Sequence, residues 1–171
     1  NAKKIYCICS PQASYKSDLS FAMEKANWRL NPYPKNSRWS LELNLDKSIE
    51  DLESNQSKNW SRNLKRSKKF FISIEKWQSP DKHKIIDLYR EMESYKGINP
   101  QFTENQMSNI LKIFKDDLII YKSSNESGDI ICIRGCVIFG NRALDLFAAT
   151  NQEGRSKYVS YGLLWQIIIS C

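Results

Sequence analysis

The sequence predicts an α/β protein of the α+β type, in which a mixed, largely antiparallel sheet is flanked by helices. The first observation is the order of elements, because from residue 71 onward the apolar periodicity gives β-α-α-β-β-β-α. The second is composition, since 171 residues that are 41% hydrophobic and 12% aromatic can bury a core without disulfides. The third is that no apolar run reaches the roughly 18–20 residues that a membrane-spanning helix needs.

The elements before residue 47 are short. Alternating apolar residues predict strands over Lys4–Cys9 and Arg38–Leu45, and helical spacing predicts a helix from Ser17 to Trp28. Pro32 and the proline two residues later end this helix before the second strand.

The next segment contains a short helix, a basic helix and the first strand of the main sheet. Ser48–Asp51 resembles a capping box that opens the short helix. A helix over residues 57–69 follows, and Phe71–Trp77 has the composition of a strand.

Two amphipathic helices come after this strand. The first runs from Pro80 to about Lys96, with Ser79 as its N-cap and Gly97 at its end. Thr103 and Gln106 form the capping box of the second. The residues that we expect to face the core are Ile85, Leu88, Tyr89, Met92, Met107, Ile110, Leu111 and Phe114.

Three strands then form a meander that leads into a final helix. The strands are Leu118–Ser123, Ile130–Phe139 and Arg142–Thr150, and a two-residue turn at Gly140-Asn141 joins the last two. A loop over Asn151–Arg155 leads into the final helix, which we expect to begin near Ser156.

Most of the positive charge lies in one segment. The formal net charge is +7, and residues 57–70 carry six cations and no acid. On a helix, five of these cations occupy one face, at i, i+4, i+7, i+8 and i+11, while Trp60 and Leu64 occupy another and can anchor the helix. A like-charged face is either simply solvated or binds a phosphate-rich ligand such as RNA, a nucleotide or anionic lipid.

The five cysteines favour a reducing cytoplasm over a disulfide-stabilised secreted protein. Their apolar surroundings indicate small buried side chains. Cys7 and Cys9, with Cys132 and Cys136, lack the spacing of a zinc site, so no metal is predicted.

Two stretches resemble a known family. The order of elements resembles the first two thirds of the GNAT acyltransferase fold. The FemAB-type peptidyltransferases have a strand that ends in Leu-x-Leu, a short helix, and then the motif Arg-Asn-x-x-Arg/Lys-Lys. This chain is similar to that pattern over Leu43–Leu52 and Trp60–Lys69. Gly135–Thr150 followed by Tyr158–Ile167 is similar to the hairpin and the Leu-x-Trp-x-Ile helix of the same family.

The resemblance implies an N-acyltransferase that moves an aminoacyl group from aminoacyl-tRNA to the peptide amine of a peptidoglycan precursor. Its partners would be tRNA, a nucleotide- or lipid-linked precursor, or both, with peripheral contact to an anionic membrane and no bound cofactor. It also implies that residues 1–46 are the remnant of a preceding GNAT-like lobe and its connecting strand. Residues 47–171 would then be a second GNAT-like domain, and we expect the sequence to be incomplete at both ends.

The resemblance further places the phosphates of the donor at the start of the helix after the fourth strand, where backbone N–H groups of residues 154–157 would face an anion. The expected substrate-lining residues are Arg134, Tyr158 and Tyr161. The expected phosphate- or donor-binding residues are Lys58, Arg62, Lys65, Arg66, Lys69, Gly154, Arg155 and Lys157.

Asp145 is the candidate catalytic residue. The Gly140-Asn141 turn sets a register in which Cys136 pairs with Asp145 and Arg134 lies diagonal to it. This pair is either a structural ion pair or a site carboxylate that orients or deprotonates the acceptor amine.

Two other functions remain open at this point. One keeps the fold but uses an acyl-CoA donor and a small amine or sugar acceptor. The glycine pattern of acetyl-CoA enzymes is absent, however, because Gln152–Ser156 contains one glycine at the wrong spacing. The other is a non-enzymatic nucleic-acid-binding module that uses the basic helix.

Overall fold

The computed structural model describes residues 17–29, 42–70 and 72–171. The chain divides into two units, Asn1–Leu43 and Asn44–Cys171. The first contains helix α1 (Ser17–Lys25), which is shorter than predicted because Asn27 takes a left-handed conformation with φ 61°. The strand predicted over Lys4–Cys9 and residues 38–41 of the next predicted strand lie outside the described residues. The assignment of residues 1–46 to a preceding lobe stays a prediction.

The second unit begins with two short helices. Residues 42–45, predicted as the end of a strand, form no strand. Helix α2 (Ile49–Ser54) starts where the Ser48 hydroxyl accepts the Asp51 N–H at 3.1 Å, as the sequence predicts. Helix α3 (Lys58–Ser67) is capped by Ser57 and is the predicted basic helix, although it ends two residues early.

The sheet has four strands, β1 (Ser73–Lys76), β2 (Leu118–Ser124), β3 (Ile130–Phe139) and β4 (Arg142–Thr150). They lie in the order β1-β2-β3-β4, and every described pairing is antiparallel. The α+β architecture is therefore confirmed, including the meander.

Helix α4 (Lys82–Lys96) starts later than predicted. Its N-cap is Asp81, whose carboxylate accepts the His83 N–H at 2.8 Å, so Ser79 is not the cap and Pro80 lies before the helix. An aspartate two residues closer to the apolar stripe supplies the acceptor that the first turn needs. Gly97 ends the helix with φ 63°, as predicted.

Helix α5 (Glu104–Phe114) has the predicted capping box, in which Thr103 and Gln106 bond reciprocally. A 3₁₀ turn (Lys115–Asp117) then leads into β2. The predicted core residues of α4 are all buried, and of those of α5 Met107 is buried while the others are half-buried.

Helices cover both faces of the sheet. Successive strand residues point to opposite faces, so Cys132 and Ile133 of β3 belong to different cores. Ile133 packs with the apolar residues of α4. Cys132 packs with Val159 and Leu163 of α7 (Val159–Ser170). A third cluster joins Leu52, Leu64 and Trp165, and so attaches α3 to α7.

The β3–β4 hairpin contains an irregularity that the sequence does not reveal. Gly140 turns with φ 56°, and Cys136 pairs with Asp145 as predicted. The register then shifts, because Gly135 pairs with Phe147 and leaves Leu146 as the extra residue of a β-bulge.

The segment predicted as a loop over Asn151–Arg155 is a short helix, α6 (Gln152–Ser156). The Asn151 side chain caps it by accepting the Gly154 N–H at 2.9 Å. The final helix, α7, consequently begins at Val159 and not near Ser156. In the described part of the chain, no helix is long and apolar enough to cross a membrane.

The packing of α3 gives a testable prediction. Leu64 is 4% exposed between Leu52 and Trp165. We expect Leu64→Ala to lower the free energy of unfolding by about 2–4 kcal/mol, because it leaves a cavity in this cluster. Denaturant unfolding followed by Trp fluorescence measures the loss. In the control Ile113→Ala, the side chain is 71% exposed, and we expect a change of less than about 0.5 kcal/mol. Equal losses in the two variants would contradict the packing of α3 described above.

Candidate functional site

A groove of about 690 Å³ runs along α3, bordered by the end of α2. We call it the basic groove. All five cations predicted to share one face of the helix line it: Lys58, Arg62, Lys65, Arg66 and Lys69. Glu53 is the one acidic residue among its lining side chains. The structure therefore brings together the charges that the sequence analysis grouped.

The basic groove also contains an unpaired polar atom. The side-chain nitrogen Nε2 of Gln56 is buried and has no hydrogen-bond partner among the described residues. A buried amide donor without an acceptor costs free energy, about 1–3 kcal/mol in typical cases. An anion in the groove would supply negative charge for the cations.

A second cavity, of about 900 Å³, lies where β4, α6 and the first turn of α7 meet the end of α4. We call it the cleft. Its lining is mostly hydroxyl-bearing: Tyr95, Thr150, Ser156, Tyr158, Ser160 and Tyr161. Lys96 and Arg155 add positive charge, and Gln152 and Gly154 complete the set. Tyr158, Tyr161, Gly154 and Arg155 were predicted from the sequence, whereas Tyr95 and Ser160 were not.

The backbone N–H groups of residues 154, 155 and 157, which the resemblance offers to an anion, have acceptors within the protein. The Gly154 N–H bonds to Asn151 Oδ1, the Arg155 N–H bonds to the Asn151 carbonyl at 3.0 Å, and the Lys157 N–H bonds to Glu153 at 3.2 Å. These N–H groups are therefore used inside α6 and its caps. Gly154 is also pressed against the sheet, since a Cβ there would lie 2.4 Å from the Ile131 carbonyl oxygen.

Lys157, also predicted to bind the donor, forms an ion pair with Glu153. Its ammonium is 2.6 Å from the Glu153 carboxylate, and it does not line the cleft. The hydrogen bond from Lys157, together with one from Asn125, holds the pKa of Glu153 below its usual value. Arg155 instead lies over the Tyr95 ring, 5.5 Å from the centroid, inside the cleft.

Tyr158 connects the cleft with the basic groove. Its hydroxyl accepts a hydrogen bond from Nη1 of Arg66 at 2.9 Å, and the Arg66 guanidinium lies 5.1 Å from the ring centroid. Its backbone is left-handed, with φ 58°, which is uncommon for a bulky residue. Arg66 lines the groove and Tyr158 lines the cleft, so the two cavities meet at this contact.

The Arg134–Asp145 pair forms as predicted, but outside both cavities. Arg134 donates to both carboxylate oxygens of Asp145, with Nε to Oδ1 at 2.9 Å. The Arg134 side chain is 16% exposed and that of Asp145 is 48% exposed. The third nitrogen of Arg134 donates to the Ser160 hydroxyl at 3.3 Å, so the pair reaches the cleft through Ser160.

The positions of the cysteines agree only in part with the prediction that their side chains are buried. Cys132 and Cys136 are buried, whereas Cys171 is exposed, contrary to expectation. Cys7 and Cys9 lie outside the described residues. In the ranges that the structure describes, no group of three potential metal ligands comes together.

Comparisons with known proteins support the fold. No protein-family model and no curated protein matches the sequence. Among solved structures, that of FemX aligns with this chain at a TM-score of 0.64 and 9% sequence identity. The alignment covers 74% of this chain and 48% of the FemX chain. An acetyltransferase of the GNAT family from Staphylococcus aureus aligns at a TM-score of 0.50 and 16% sequence identity. The alignment covers 58% of this chain and 66% of the acetyltransferase chain.

The matched region spans less than two thirds of each of these structures, and about half of FemX. At such identities the likeness concerns the fold. The α+β arrangement of this chain is the GNAT-type fold, shared with FemX and with GNAT acetyltransferases, as the order of its elements predicts.

Proposed function

We propose that this chain is part of an N-acyltransferase that transfers an aminoacyl group from aminoacyl-tRNA to the peptide amine of a peptidoglycan precursor. The observation that carries the proposal is the contact between Arg66 and Tyr158, because it joins the basic groove to a polar cleft. The GNAT-type fold supports acyl transfer as the class of reaction.

The donor is a phosphate-rich molecule held by side chains. Four cations on α3 and Lys69 just beyond it offer charge and hydrogen-bond donors along one side of the helix. At a rise of about 1.5 Å per residue, the cations from Lys58 to Arg66 on α3 extend over roughly 12 Å, and Lys69 lies beyond the end of the helix. A single pyrophosphate is shorter than this, whereas successive phosphates of an RNA strand can contact the whole row.

An acyl-CoA donor fits the structure less well. The family resemblance places the phosphates of such a donor on backbone N–H groups after the fourth strand. In this chain the N–H groups of Gly154, Arg155 and Lys157 already have acceptors within the protein. Binding a pyrophosphate there would require these hydrogen bonds to break, which removes the advantage of a preformed anion site.

The reaction proposed for the cleft is aminolysis of an ester. The acceptor amine attacks the ester carbonyl carbon, the bond to the ribose oxygen breaks, and the proton lost by the amine passes to that oxygen. Holding the two reactants together is the main requirement. The hydroxyl groups of Thr150, Tyr158 and Ser160 can orient them by hydrogen bonding, and Arg155 adds positive charge.

Asp145 acts in this proposal as a positioning residue. Both of its oxygens accept hydrogen bonds from Arg134, and it lines neither cavity. Arg134 can only donate hydrogen bonds, so the Ser160 oxygen accepts from it and the Ser160 proton stays available to the cleft. The carboxylate thereby orients Ser160 through Arg134.

Transfer itself is the first test. The full-length gene product is incubated with a pool of tRNA charged with labelled amino acids and with a nucleotide-linked peptidoglycan precursor. We expect label in the precursor, and none when acetyl-CoA labelled in its acetyl group replaces the charged tRNA. Transfer of the labelled acetyl group would replace the proposed donor, and tRNA binding without transfer to any acceptor would indicate a nucleic-acid-binding module.

The basic groove gives a second test. We expect Lys65→Glu with Lys69→Glu to weaken tRNA binding by at least tenfold and to flatten its salt dependence, because phosphate contacts are lost. The matched control reverses two exposed helical lysines outside the groove, Lys84 and Lys112. Binding isotherms at several salt concentrations measure the effect, and equal losses in both double variants would contradict a specific role for α3.

The role of Asp145 gives a third test. If the residue positions Ser160, Asp145→Asn should lower the transfer rate by less than about tenfold and leave the shape of the pH–rate profile unchanged. Loss of a general base typically costs 10²–10⁴-fold. A loss of that size, with the basic limb of the profile removed, would make Asp145 the catalytic base.

A further inference from the structure

Two thiols meet where the end of α7 lies over β3. The Sγ atoms of Cys136 and Cys171 are 3.9 Å apart, although the residues are 35 positions apart in sequence. Cys136 is 1% exposed and pairs with Asp145 in the hairpin. Cys171 is exposed and directly follows α7, where its N–H bonds to the Ile167 carbonyl at 3.1 Å.

We propose that Cys136 and Cys171 form an oxidative modification site, at which a hydroperoxide converts the two thiols into an intramolecular disulfide. This proposal is independent of the proposed acyl transfer, since it uses neither the groove nor the cleft. It also differs from the sequence-based expectation, which treats the cysteines as inert buried side chains.

The geometry requires little movement. A disulfide has an S–S distance of about 2.05 Å, so the sulfurs must approach by roughly 1.9 Å. Cys136 is fixed by strand pairing on both sides, to Ile119 and to Asp145. Cys171 follows the last turn of a helix and is exposed, so the adjustment falls on its side chain and on that turn.

The two thiols have different parts in the reaction. Burial, together with the nearby Cys171 thiol, raises the pKa of Cys136 to about 12, so Cys136 is protonated at neutral pH. The accessible Cys171 sulfur therefore attacks the hydroperoxide first, becomes a sulfenic acid and releases an alcohol or water. The Cys136 sulfur then attacks the Cys171 sulfur, forms the S–S bond and expels water. Two electrons leave the two thiols and reduce one hydroperoxide.

The disulfide would attach the C-terminal end of α7 to strand β3. The other end of this helix carries Ser160 and Tyr161 of the cleft, and Trp165 in its middle packs against α3. A cross-link between β3 and the residue after α7 restricts the unfolded chain as well as the end of the helix. We expect it to raise the midpoint of thermal unfolding by about 5–15 °C.

Cys132 offers a matched control on the same strand. It is fully buried, and its sulfur contacts the Thr150 hydroxyl at 3.0 Å in place of a second thiol. Cys132→Ala and Cys136→Ala remove the same atoms from buried positions of β3. Only the second removes a thiol that faces Cys171.

The test is peptide mapping of the 171-residue chain. Reduced protein is treated with one equivalent of hydrogen peroxide, remaining thiols are alkylated, and the protein is digested with trypsin without reduction. We expect residues 135–142 linked to residues 158–171, with a mass two hydrogens below the sum of the two peptides. The link should persist in Cys132→Ala and disappear in Cys136→Ala and Cys171→Ser.

Several outcomes would overturn the proposal. One is alkylation of Cys136 and Cys171 in fully treated wild type, and another is conversion of Cys171 to sulfinic acid without any link. A third is a link from residues 158–171 to residues 5–16, which carry Cys7 and Cys9, or to residues 123–134, which carry Cys132. Because wild type alone decides among these, misfolding of a variant leaves the result intact.

Discussion

Both cavities depend on the way α7 is packed on two sides at once. Its residues Val159 and Leu163 enter the core against the sheet, while Trp165 meets Leu64 of α3. A ten-residue helix that carries four cations, with a fifth just past its end, has no independent stability, because like charges repel and short helices are marginal in water. The apolar contact with α7 is what holds this charge in a fixed row. The same helix delivers Ser160 and Tyr161 to the cleft.

The junction between β4 and α7 decides what kind of anion site is available. Gly154 lies so close to the Ile131 carbonyl that no side chain fits, and Asn151 takes its N–H. The chain then needs the left-handed Tyr158 to enter α7, a conformation that costs on the order of 1–2 kcal/mol for a residue with a side chain. The hydrogen bond and ring contact from Arg66 offset part of this cost. The backbone N–H groups of Gly154, Arg155 and Lys157 are thus used within the protein.

Local rules made much of this fold predictable. Three features depend only on neighbours within four residues: the capping box of Thr103 and Gln106, the end of α4 at Gly97, and the hairpin turn at Gly140-Asn141. The hairpin turn also fixed the pairing of Cys136 with Asp145. The bulge at Leu146 and the helix α6 were missed, because each results from packing against another strand or from a side-chain cap that competes with loop structure. Tyr95 and Arg66 reach the site from elements far away in sequence; Arg66 and Tyr158 are 92 positions apart. Periodicity carries no information on such contacts.

A row of side-chain cations recognises phosphate differently from a helix N-terminus. Backbone N–H groups fix one anion at one point, whereas long, exposed cations on α3 follow a charged chain with little geometric demand. Such contacts are screened by salt and contribute more to association rate and orientation than to selectivity. In the function that we propose, selection between donors therefore falls to the cleft, where Tyr95, Tyr158 and Tyr161 offer rings and hydroxyl groups. The Arg66–Tyr158 contact then has a physical consequence: a phosphate that draws Arg66 away from Tyr158 also loosens the residue at which the cleft begins.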